Sequence, residues 1–572
     1  MKLKKVEILK FRSYENISMR FNNVTAFVGQ NNVGKSGVFR ALNAFFNFEE
    51  EKLNFLDDKH LYKKRAIPVI NITFGNIPNK AIYNDKIIGD ELHVRFKYSH
   101  KTAKYSYKSP ITNVYESIDV DFIHQLKKDI TFVLIPVVRD YRLAQAREES
   151  ILREILQFYL IKHTAKMDRL SPSVTKAVSI LKNNALSKIS NEIKKFYDIS
   201  NDLVFDITTN SGIDYTIFLD KLVIKVKENG NFFDLNECGS GIQSVLIIAL
   251  YRYLSNLKKQ NIILGIEEPE INLHPQAIKE FINSIHNSDS VNQSIITTHS
   301  PVVLDLLSHQ DIVLFRKHKN QSRGVITKTT QLSANFWDNY NLNEVKYLKF
   351  YKYRNSEFFF ANFVIITESD SDSELIEYIL EKRGVDLLKK GGATLNLDGV
   401  DKINYAFNLF KELQIPTLYV LDKDFFLPYK VNNNKESSRS NGYFTFKKEY
   451  HDKDIIKQLI HSESDRQKIL ELFFVNHSKA QTEINKYNIV TMSINMEMDI
   501  MKSQRALDLA YEHFNIVDEN RTPEYLLTSH KNSVKSITNL LQFLEGMDYS
   551  NYPHSLKRLI KLIDEKNEEQ RL

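Results

Sequence analysis

One eight-residue motif near the start of the chain constrains the fold more than any other feature. Residues 29–36 read Gly-Gln-Asn-Asn-Val-Gly-Lys-Ser, the pattern G-x-x-x-x-G-K-S. The β-branched and aromatic run Val24–Val28 before it predicts a buried strand, and 37–46 carry apolar residues at helical spacing. A strand, a glycine loop and a helix in this order direct backbone N–H groups and a helix N-terminus at one anion. The motif therefore predicts a nucleoside triphosphate site.

Each position of the motif has an expected role in that site. The loop backbone at Gly29, Asn32 and Gly34 is expected to surround the phosphates of ATP. Lys35 can reach the β- and γ-phosphates, and the hydroxyl of Ser36 can ligate Mg²⁺.

Length and composition bound the class of protein. A chain of 572 residues is too long for one core, so we expect two to four domains. Its 78 basic and 71 acidic residues give a net charge of +7, which permits nucleic-acid binding without requiring it. Cys238 is the only cysteine, which excludes internal disulfides and cysteine-rich zinc sites. With no signal-like N-terminus and no apolar run near the ~18 residues of a membrane span, we expect a cytoplasmic protein without membrane contact.

Paired carboxylates follow a second apolar strand. Residues 262–266 are almost wholly apolar and lead into Glu267 and Glu268. A buried parallel strand delivers acids at its carboxyl end, where phosphates bind. We expect Glu267 to hold the Mg²⁺ shell and Glu268 to orient or deprotonate the attacking water. Another strand, at 294–298, leads to His299, which is placed to contact the γ-phosphate.

A glycine–serine motif lies upstream of these acids. Gly239, Ser240 and Gly241 come directly before an apolar helix at 245–253, whose N-terminus can face a γ-phosphate presented by a second subunit. Taken singly, each of these motifs is often only a cap or a turn. Their joint order resembles the ABC-type ATPase heads of the SMC and RecF class. That resemblance implies ATP held between two subunits, and hence a homodimer or higher homo-oligomer.

A second acidic set occupies the C-terminal half. The strand-like run 363–367 ends at Glu368, with Asp372 opening the following helix, and the run 416–421 ends at Asp422 and Asp424. Acids at the ends of two parallel strands converge, and they repel one another unless cations lie between them. Carboxylate oxygens suit Mg²⁺ or Mn²⁺, and two such ions support phosphodiester cleavage.

This second half resembles a Toprim domain, and the whole chain resembles the OLD (overcoming lysogenization defect) family of ATPase–Toprim nucleases, which includes Gabija-type and retron-linked phage-defence effectors. The resemblance implies that Glu497 is a metal ligand with Asp499 nearby in the metal site, and that Lys531 or Lys535 stabilises the pentavalent phosphate. Ser369 stands where the family usually has Gly, which would strain a turn with positive φ.

The predicted fold is α/β: an ABC-type ATPase head with a helical dimerisation insertion, then a Toprim domain with helical additions. We expect the head at 1–140 and 201–345, the insertion at 141–200, the Toprim domain at 346–530 and C-terminal helices at 531–572. A strip of bases and aromatics at 346–354 could follow DNA or could be a solvated connecting helix.

The function expected from these motifs is an ATP-regulated, metal-dependent DNA endonuclease or nickase in antiphage defence. An ATP-driven DNA clamp or sensor with a non-cleaving Toprim domain is the alternative. A co-encoded partner, such as a retron reverse transcriptase with its small DNA, is a further expectation. A primase is disfavoured because one cysteine cannot build its usual zinc module, and the ABC-type head argues against a topoisomerase.

Overall fold

The computed structural model describes residues 1–137, 151–162, 176, 179–180, 224–228, 231–258, 261–271, 273–286, 293–320, 324–344 and 356–571. Its contacts divide the chain into two units, Met1–Phe27 with Gly34–Leu306, and Val28–Val33 with Leu307–Leu572. The division falls at 306/307 rather than at the predicted boundary of 345/346. Most of the predicted insertion at 141–200 and all of the strip at 346–354 lie outside the described residues.

The first unit contains most of the elements of the predicted ATPase head. Its strands are β1 (Lys2–Phe11), β2 (Tyr14–Arg20), β3 (Val24–Val28), β4 (Val69–Gly75), β5 (Leu92–Ser99), β6 (Thr102–Lys108), β7 (Tyr115–Ser117), β8 (Ile130–Ile135), β9 (Lys225–Glu228), β10 (Asn231–Asp234), β11 (Asn261–Glu267) and β12 (Gln293–Thr297). Its helices are α1 (Lys35–Phe46), α2 (Phe48–Leu56), α3 (Ala81–Asn84), α4 (Val120–Asp129), α5 (Ile151–Lys162), α6 (Ser240–Lys258), α7 (Pro275–His286) and α8 (Pro301–Leu304).

An antiparallel sheet begins this unit, as the alternating sequence predicts. β1 pairs with β2 on one side and with β4 on the other, and β5, β6 and β7 continue the sheet. Val6 lies opposite both Met19 and Ile72, so apolar side chains of neighbouring strands fall on one face. The buried positions of β1 and β2 therefore form a continuous layer.

A parallel sheet carries the nucleotide motifs. β3, β12, β11 and β8 lie side by side in that order, and all run in the same direction. Gly265 in β11 has no side chain because a Cβ atom there would lie 2.6 Å from the ring of Phe132 and 3.2 Å from that of Phe39. Phe39 belongs to α1, so this glycine lets the helix after the phosphate loop pack tightly on the sheet.

The second unit contains the predicted Toprim domain. Its strands are β13 (Ile312–Asn320), β14 (Gly324–Thr330), β15 (Phe363–Thr367), β16 (Gly392–Asn396), β17 (Thr417–Leu421), β18 (Arg439–Ser440), β19 (Tyr443–Phe444) and β20 (Ile489–Thr491). Its helices are α9 (Phe336–Asn339), α10 (Asp370–Lys382), α11 (Ile403–Leu413), α12 (Lys423–Phe426), α13 (Asp454–Leu459), α14 (Glu463–Val475), α15 (His477–Ile484), α16 (Met496–Ile500), α17 (Gln504–His513), α18 (Pro523–Ser529), α19 (Lys531–Val534), α20 (Ile537–Glu545) and α21 (His554–Arg571).

A four-stranded parallel sheet, in the order β16-β15-β17-β20, forms the centre of the second unit. One apolar cluster runs from Phe363 and Leu375 through Val490 to Leu544 and Ile563. The C-terminal helices α20 and α21 contribute to this cluster, so they share the core of the Toprim sheet instead of forming a separate layer.

A buried carboxylate fixes α2 against α1, directly behind the phosphate loop. Glu51 is 1% exposed and accepts hydrogen bonds from Arg40 at 3.1 Å, Asn43 at 3.0 Å, Asn54 at 2.9 Å and His60 at 2.7 Å. Burial alone would raise the pKa of Glu51, but these hydrogen bonds outweigh it and lower the pKa to about 2.

We predict that Glu51→Gln destabilises the first unit by about 3 kcal/mol, because an amide places N–H groups against donors and leaves one of them unpaired. The loss should be full at neutral pH. It should shrink as the pH falls from about 5 towards 2, where the wild-type carboxylate is itself protonated. Thermal unfolding across this pH range measures the effect. Glu49→Gln, on the exposed side of the same helix, is the matched control and should unfold like the wild type.

Candidate functional site

The phosphate loop adopts the backbone conformation that its glycines predict. β3 ends at Val28, α1 begins at Lys35, and Gly29, Asn32 and Gly34 all have positive φ, at 141°, 60° and 108°. A left-handed conformation costs glycine nothing, and asparagine tolerates it better than most residues. The predicted strand, loop and helix are therefore present, with the helix N-terminus at Lys35 and Ser36.

Lys35 lies in an acidic and largely buried environment. The residue is 7% exposed, and burial lowers the pKa of its ammonium group to about 8, although the charges of Glu268 and Glu270 act in the opposite direction. A triphosphate would restore full charge to this lysine, because opposite charges favour the ionised form. The contact of Lys35 with the β- and γ-phosphates stays a prediction.

The two acids after β11 differ in backbone conformation. Glu267 is the last residue of the strand and is 8% exposed. Glu268 has φ of 44°, which is uncommon for a residue with a long side chain, and its N–H donates to the carbonyl of Thr297 at 2.9 Å. Such strain is found at functional sites, where the surrounding structure holds it. The strained conformation turns the chain immediately after the strand, a feature that sequence reasoning missed.

His299 reaches Glu268, and a third acid holds the loop between them. The Nε2 atom of His299 lies 3.9 Å from Oε1 of Glu268. Glu270 accepts hydrogen bonds from the hydroxyl of Thr298 at 2.8 Å and from the backbone N–H of His299 at 2.7 Å. Burial, and then the charge of Lys35, lower the pKa of His299, so its ring is neutral at pH 7. The sequence shows Glu270 only as the last residue of Glu-Glu-Pro-Glu, and this pattern does not predict that it anchors the loop.

The glycine–serine motif lies at the start of α6. Gly239 is exposed, and no atom of the described residues lies within 4 Å of a hypothetical Cβ there; Gly241 lies in the first turn of the helix. The side chain of Ser240 lies outside the described residues. An open helix N-terminus is what the predicted contact with a second subunit requires.

Three acids of the second unit converge at the ends of neighbouring strands. Glu368 follows β15, while Asp422 and Asp424 follow β17, which is parallel to β15 and paired with it. One carboxylate oxygen from each of the three residues lies within 4.8 Å of the others. The backbone N–H of Asp422 also donates to Oε1 of Glu368 at 2.8 Å, which fixes the two strand ends relative to each other.

Burial and mutual repulsion disturb the ionisation of this cluster. Burial, and then the charges of Asp424 and Asp372, together raise the pKa of Glu368 to about 7, against the hydrogen bond from the backbone of Asp422, which lowers it. Burial also raises the pKa of Asp422 well above its usual value, followed by the repulsion of Glu368, Asp372 and Glu497. Half-buried carboxylates that repel one another are the donor set that a hard divalent cation satisfies, so these residues fit Mg²⁺ or Mn²⁺.

Asp372 both caps α10 and lies close to the charge of Glu497. Its Oδ2 atom accepts hydrogen bonds from the backbone N–H and the hydroxyl of Ser369, at 3.1 and 2.7 Å, as the capping box of α10. Ser369 has φ of −136°, so the strain expected from replacing the family's Gly is absent. Burial, followed by the charge of Glu497, raises the pKa of Asp372 to about 6.

The structure places Lys535, and not Lys531, beside the acids. The ammonium group of Lys535 lies 2.9 Å from Oε1 of Glu497. Lys531, an equal candidate from the sequence, is exposed in α19 and forms no ion pair among the described residues. Asn495 caps α16 through Met498 and donates to Glu497 at 3.1 Å, so an amide serves at the position where an acid is often seen.

Asp499 lies outside the three-acid group and is engaged elsewhere. It is 2% exposed and accepts hydrogen bonds from the backbone N–H groups of Ser493 and Ile494 and from the hydroxyls of Ser493 and Ser555. Its oxygens are thus occupied by protein donors. This arrangement anchors α16, which carries Glu497, and disfavours the metal-ligand role expected for Asp499.

Two further residues support the site without a sequence signal. Tyr429 donates to Oδ2 of Asp424 at 2.8 Å. Lys423, between the two aspartates, turns away from them and donates to the carbonyl of Phe473 at 3.0 Å, and burial lowers its pKa to about 8. The middle residue of the D-x-D motif therefore fixes the strand end from the opposite side.

With both sites described, the chain can be compared with known proteins. The AAA ATPase domain family matches residues 1–135 and 130–304, and the Toprim domain of overcoming lysogenization defect protein-like proteins matches 359–424. The chain has the two domains of an ATPase and a Toprim nuclease. It belongs to the overcoming lysogenization defect family, as its motifs predict, and the predicted α/β class with an ATPase head before a Toprim domain is confirmed.

Individual relatives are distant in sequence. The chain is 24% identical to endonuclease GajA of Bacillus cereus (strain HuB5-5) over 77% of both chains. It is 21% identical to the OLD nuclease of Thermus scotoductus, over 74% of this chain and 82% of that one. Among solved structures, the SMC head domain from Thermotoga maritima is 14% identical with a TM-score of 0.31, covering 58% of this chain and all of that one. None of the described helices is both long and apolar enough to cross a membrane.

The electrostatics of the acidic cluster predict that Asp422→Asn raises the thermal stability of the metal-free protein. Carboxylates with raised pKa values bind more protons in the folded than in the unfolded chain, so the cluster destabilises the fold progressively as the pH rises from about 4 to above 7. The unfolding midpoint of the variant should exceed that of the wild type most clearly at pH 8 with chelator present. Addition of Mn²⁺ should stabilise the wild type and leave the variant nearly unchanged. A variant less stable than the wild type at pH 8 would contradict the repulsion on which this reading depends.

Proposed function

We propose that this nuclease is a divalent-metal-dependent DNA endonuclease or nickase whose cleavage is regulated by ATP. The observation that carries the proposal is the convergence of Glu368, Asp422 and Asp424 within 4.8 Å, at the ends of two paired strands. Relatives named endonuclease GajA and OLD nuclease support cleavage of DNA over mere binding. The proposal includes a role in antiphage defence, carried out in the cytoplasm by a homo-oligomer.

The residues around the acids have distinct roles in this proposal. Glu368, Asp422 and Asp424 would hold Mg²⁺ or Mn²⁺, and a bound ion would supply positive charge for the phosphodiester and lower the pKa of a water molecule. Glu368 is oriented by the N–H of Asp422, and Asp424 by the hydroxyl of Tyr429. Lys535 lies on the Glu497 side, where its ammonium group can stabilise the extra negative charge of a pentavalent phosphate.

The ATPase head supplies the regulatory part of the proposal. Lys35 and the loop backbone hold the triphosphate, and Ser36 with Glu267 holds its Mg²⁺. Glu268 orients the water, while the ring of His299 contacts the γ-phosphate. The motif Gly239–Gly241, with Gly239 exposed before α6, completes the site of a second subunit, so that ATP binding is coupled to dimerisation.

DNA cleavage by Asp422→Ala tests the nuclease assignment. The variant should fold, because removing one acid from a repelling cluster costs little, and cleavage with Mg²⁺ or Mn²⁺ should fall by at least two orders of magnitude. Its ATP hydrolysis should persist, because Lys35, Glu267 and Glu268 lie in the first unit. Asp518→Ala, which removes an exposed aspartate of the second unit, is the matched control and should cleave normally. Full cleavage by Asp422→Ala would refute the assignment, and no cleavage by the wild type under any metal would favour the clamp or sensor.

Hydrolysis by Glu268→Gln tests the ATPase assignment. The amide keeps the shape of the side chain but cannot accept a proton, so the variant should bind ATP, turn over at least a hundredfold more slowly and accumulate as an ATP-bound dimer. Size-exclusion chromatography with nucleotide and a phosphate-release assay measure both effects. Lys35→Ala is the contrasting variant and should lose nucleotide binding itself. Normal turnover by Glu268→Gln would transfer the catalytic role to another residue.

A further inference from the structure

The tip of the phosphate loop is hydrogen-bonded to the segment that leads into the first Toprim strand. The side-chain amide of Gln30 donates to the carbonyl of Phe360 at 3.1 Å and to Oδ1 of Asn362 at 2.9 Å. These residues are more than 300 positions apart in the chain, yet Val28–Val33 clusters with the second unit. The contact therefore lies within that unit.

The same loop is held on both sides of Gln30. A Cβ atom at Gly29 would lie 2.3 Å from the carbonyl oxygen of Phe315 in β13, so the loop backbone lies directly against that strand. The carbonyl of Val33 accepts a hydrogen bond from the hydroxyl of Thr327 in β14 at 2.8 Å. With both flanks of the loop fixed, a rearrangement of its backbone around phosphate must act largely through its tip.

Asn362 is in turn fixed to the frame of the nuclease sheet. Its N–H donates to the carbonyl of Gly391 at 2.6 Å, and its carbonyl accepts from the guanidinium group of Arg316 at 2.5 Å. β15 begins at the next residue, is buried at all five positions and delivers Glu368 directly after its end. At about 3.3 Å per residue, the strand transmits a shift at Asn362 to a carboxylate ~20 Å away.

We propose that Asn362 is a positioning residue through which nucleotide at the phosphate loop adjusts Glu368, and thereby sets the rate of DNA cleavage. This inference rests on the proposed function and names the route of its regulation. When nucleotide binds, the loop backbone closes around the phosphates and Gln30 moves with it. Through its hydrogen bond, Gln30 then displaces Asn362, the residue before the first residue of β15. The three-acid cluster tolerates little displacement, because metal-assisted cleavage depends on the placement of its ligands.

The side chain of Asn362 can be changed without disturbing its backbone contacts. Asn362→Ala removes the side-chain acceptor of Gln30, leaves its other acceptor at the carbonyl of Phe360, and retains the N–H and carbonyl that contact Gly391 and Arg316. The ratio of cleavage rates with and without saturating ATP should fall to about one in this variant, while ATP hydrolysis and nucleotide-free cleavage stay within about twofold of the wild type. Asn362→Asp keeps an acceptor oxygen and should restore most of the ratio. Asn433→Ala, at an exposed asparagine, is the matched control and should retain the wild-type ratio.

Nucleotide affinity provides a readout independent of cleavage. Coupling is reciprocal, so duplex DNA should change the affinity for a fluorescent ATP analogue in the wild type, and should no longer do so in Asn362→Ala. The Gln30→Ala, Asn362→Ala double variant should show no further loss of coupling than Asn362→Ala alone, because the hydrogen bond between these two side chains, rather than the bond from Gln30 to the carbonyl of Phe360, carries the coupling. An Asn362→Ala protein with wild-type ATP response and wild-type reciprocal coupling would overturn the inference. A wild type that cleaves DNA without any ATP response would also overturn it, whereas a wild type that never cleaves would refute the proposed function itself.

Discussion

Repulsion among buried carboxylates is the constraint on which the nuclease site depends. Glu368 and Asp422 directly follow neighbouring parallel strands, β15 and β17. This pairing holds their carboxylate oxygens within 4.8 Å of each other. The hydrogen bond from the N–H of Asp422 to Glu368 offsets part of the repulsion but cannot neutralise three acids. The fold therefore retains a local instability that only protons or a cation relieve, which is the usual relation between a binding site and the stability of the scaffold that holds it.

Around that unstable centre, the chain places rigid supports. Lys423 is anchored to the carbonyl of Phe473 and surrounded by the rings of Phe446, Phe473 and Phe474, at 5.0–5.4 Å from its ammonium group. Asp499 receives four donors and fixes the short helix that carries Glu497. Along Asp422-Lys423-Asp424, the two carboxylates therefore point to the acidic cluster, whereas the ammonium group between them points to the core. A site whose ligands repel one another needs such anchoring, because its own interactions would otherwise open it.

The sequence predicts the strand-based part of this arrangement and fails where tertiary packing decides. Val24–Val28 is a strand over the predicted residues, and Glu368 and Asp422 meet because parallel strands end at one edge of a sheet. The choice between Lys531 and Lys535 depends on how a four-residue helix is oriented over the site, and no local pattern encodes that orientation. The donors of Asp499 include Ser555, 56 residues away, and this contact holds the predicted metal-site residue through the protein's own hydrogen bonds. The spacing of residues along the sequence does not predict such tertiary contacts.

Comparison of the two sites shows why one chain can connect them. Both place their functional groups just beyond the ends of parallel strands, where the backbone leaves the sheet, and both use an unusual backbone conformation there. Glu268 adopts a strained positive φ, whereas Asp398 and Gly399, with φ of 47° and 112°, turn the chain beside Glu368, whose carbonyl accepts the N–H of Gly399. Strand ends are stiff along their length and adjustable at the turn that follows. A displacement at the start of a buried strand therefore also moves the residue that follows its end. A parallel sheet is thus suited to couple a phosphate loop to an acidic cluster such as the one that contains Glu368.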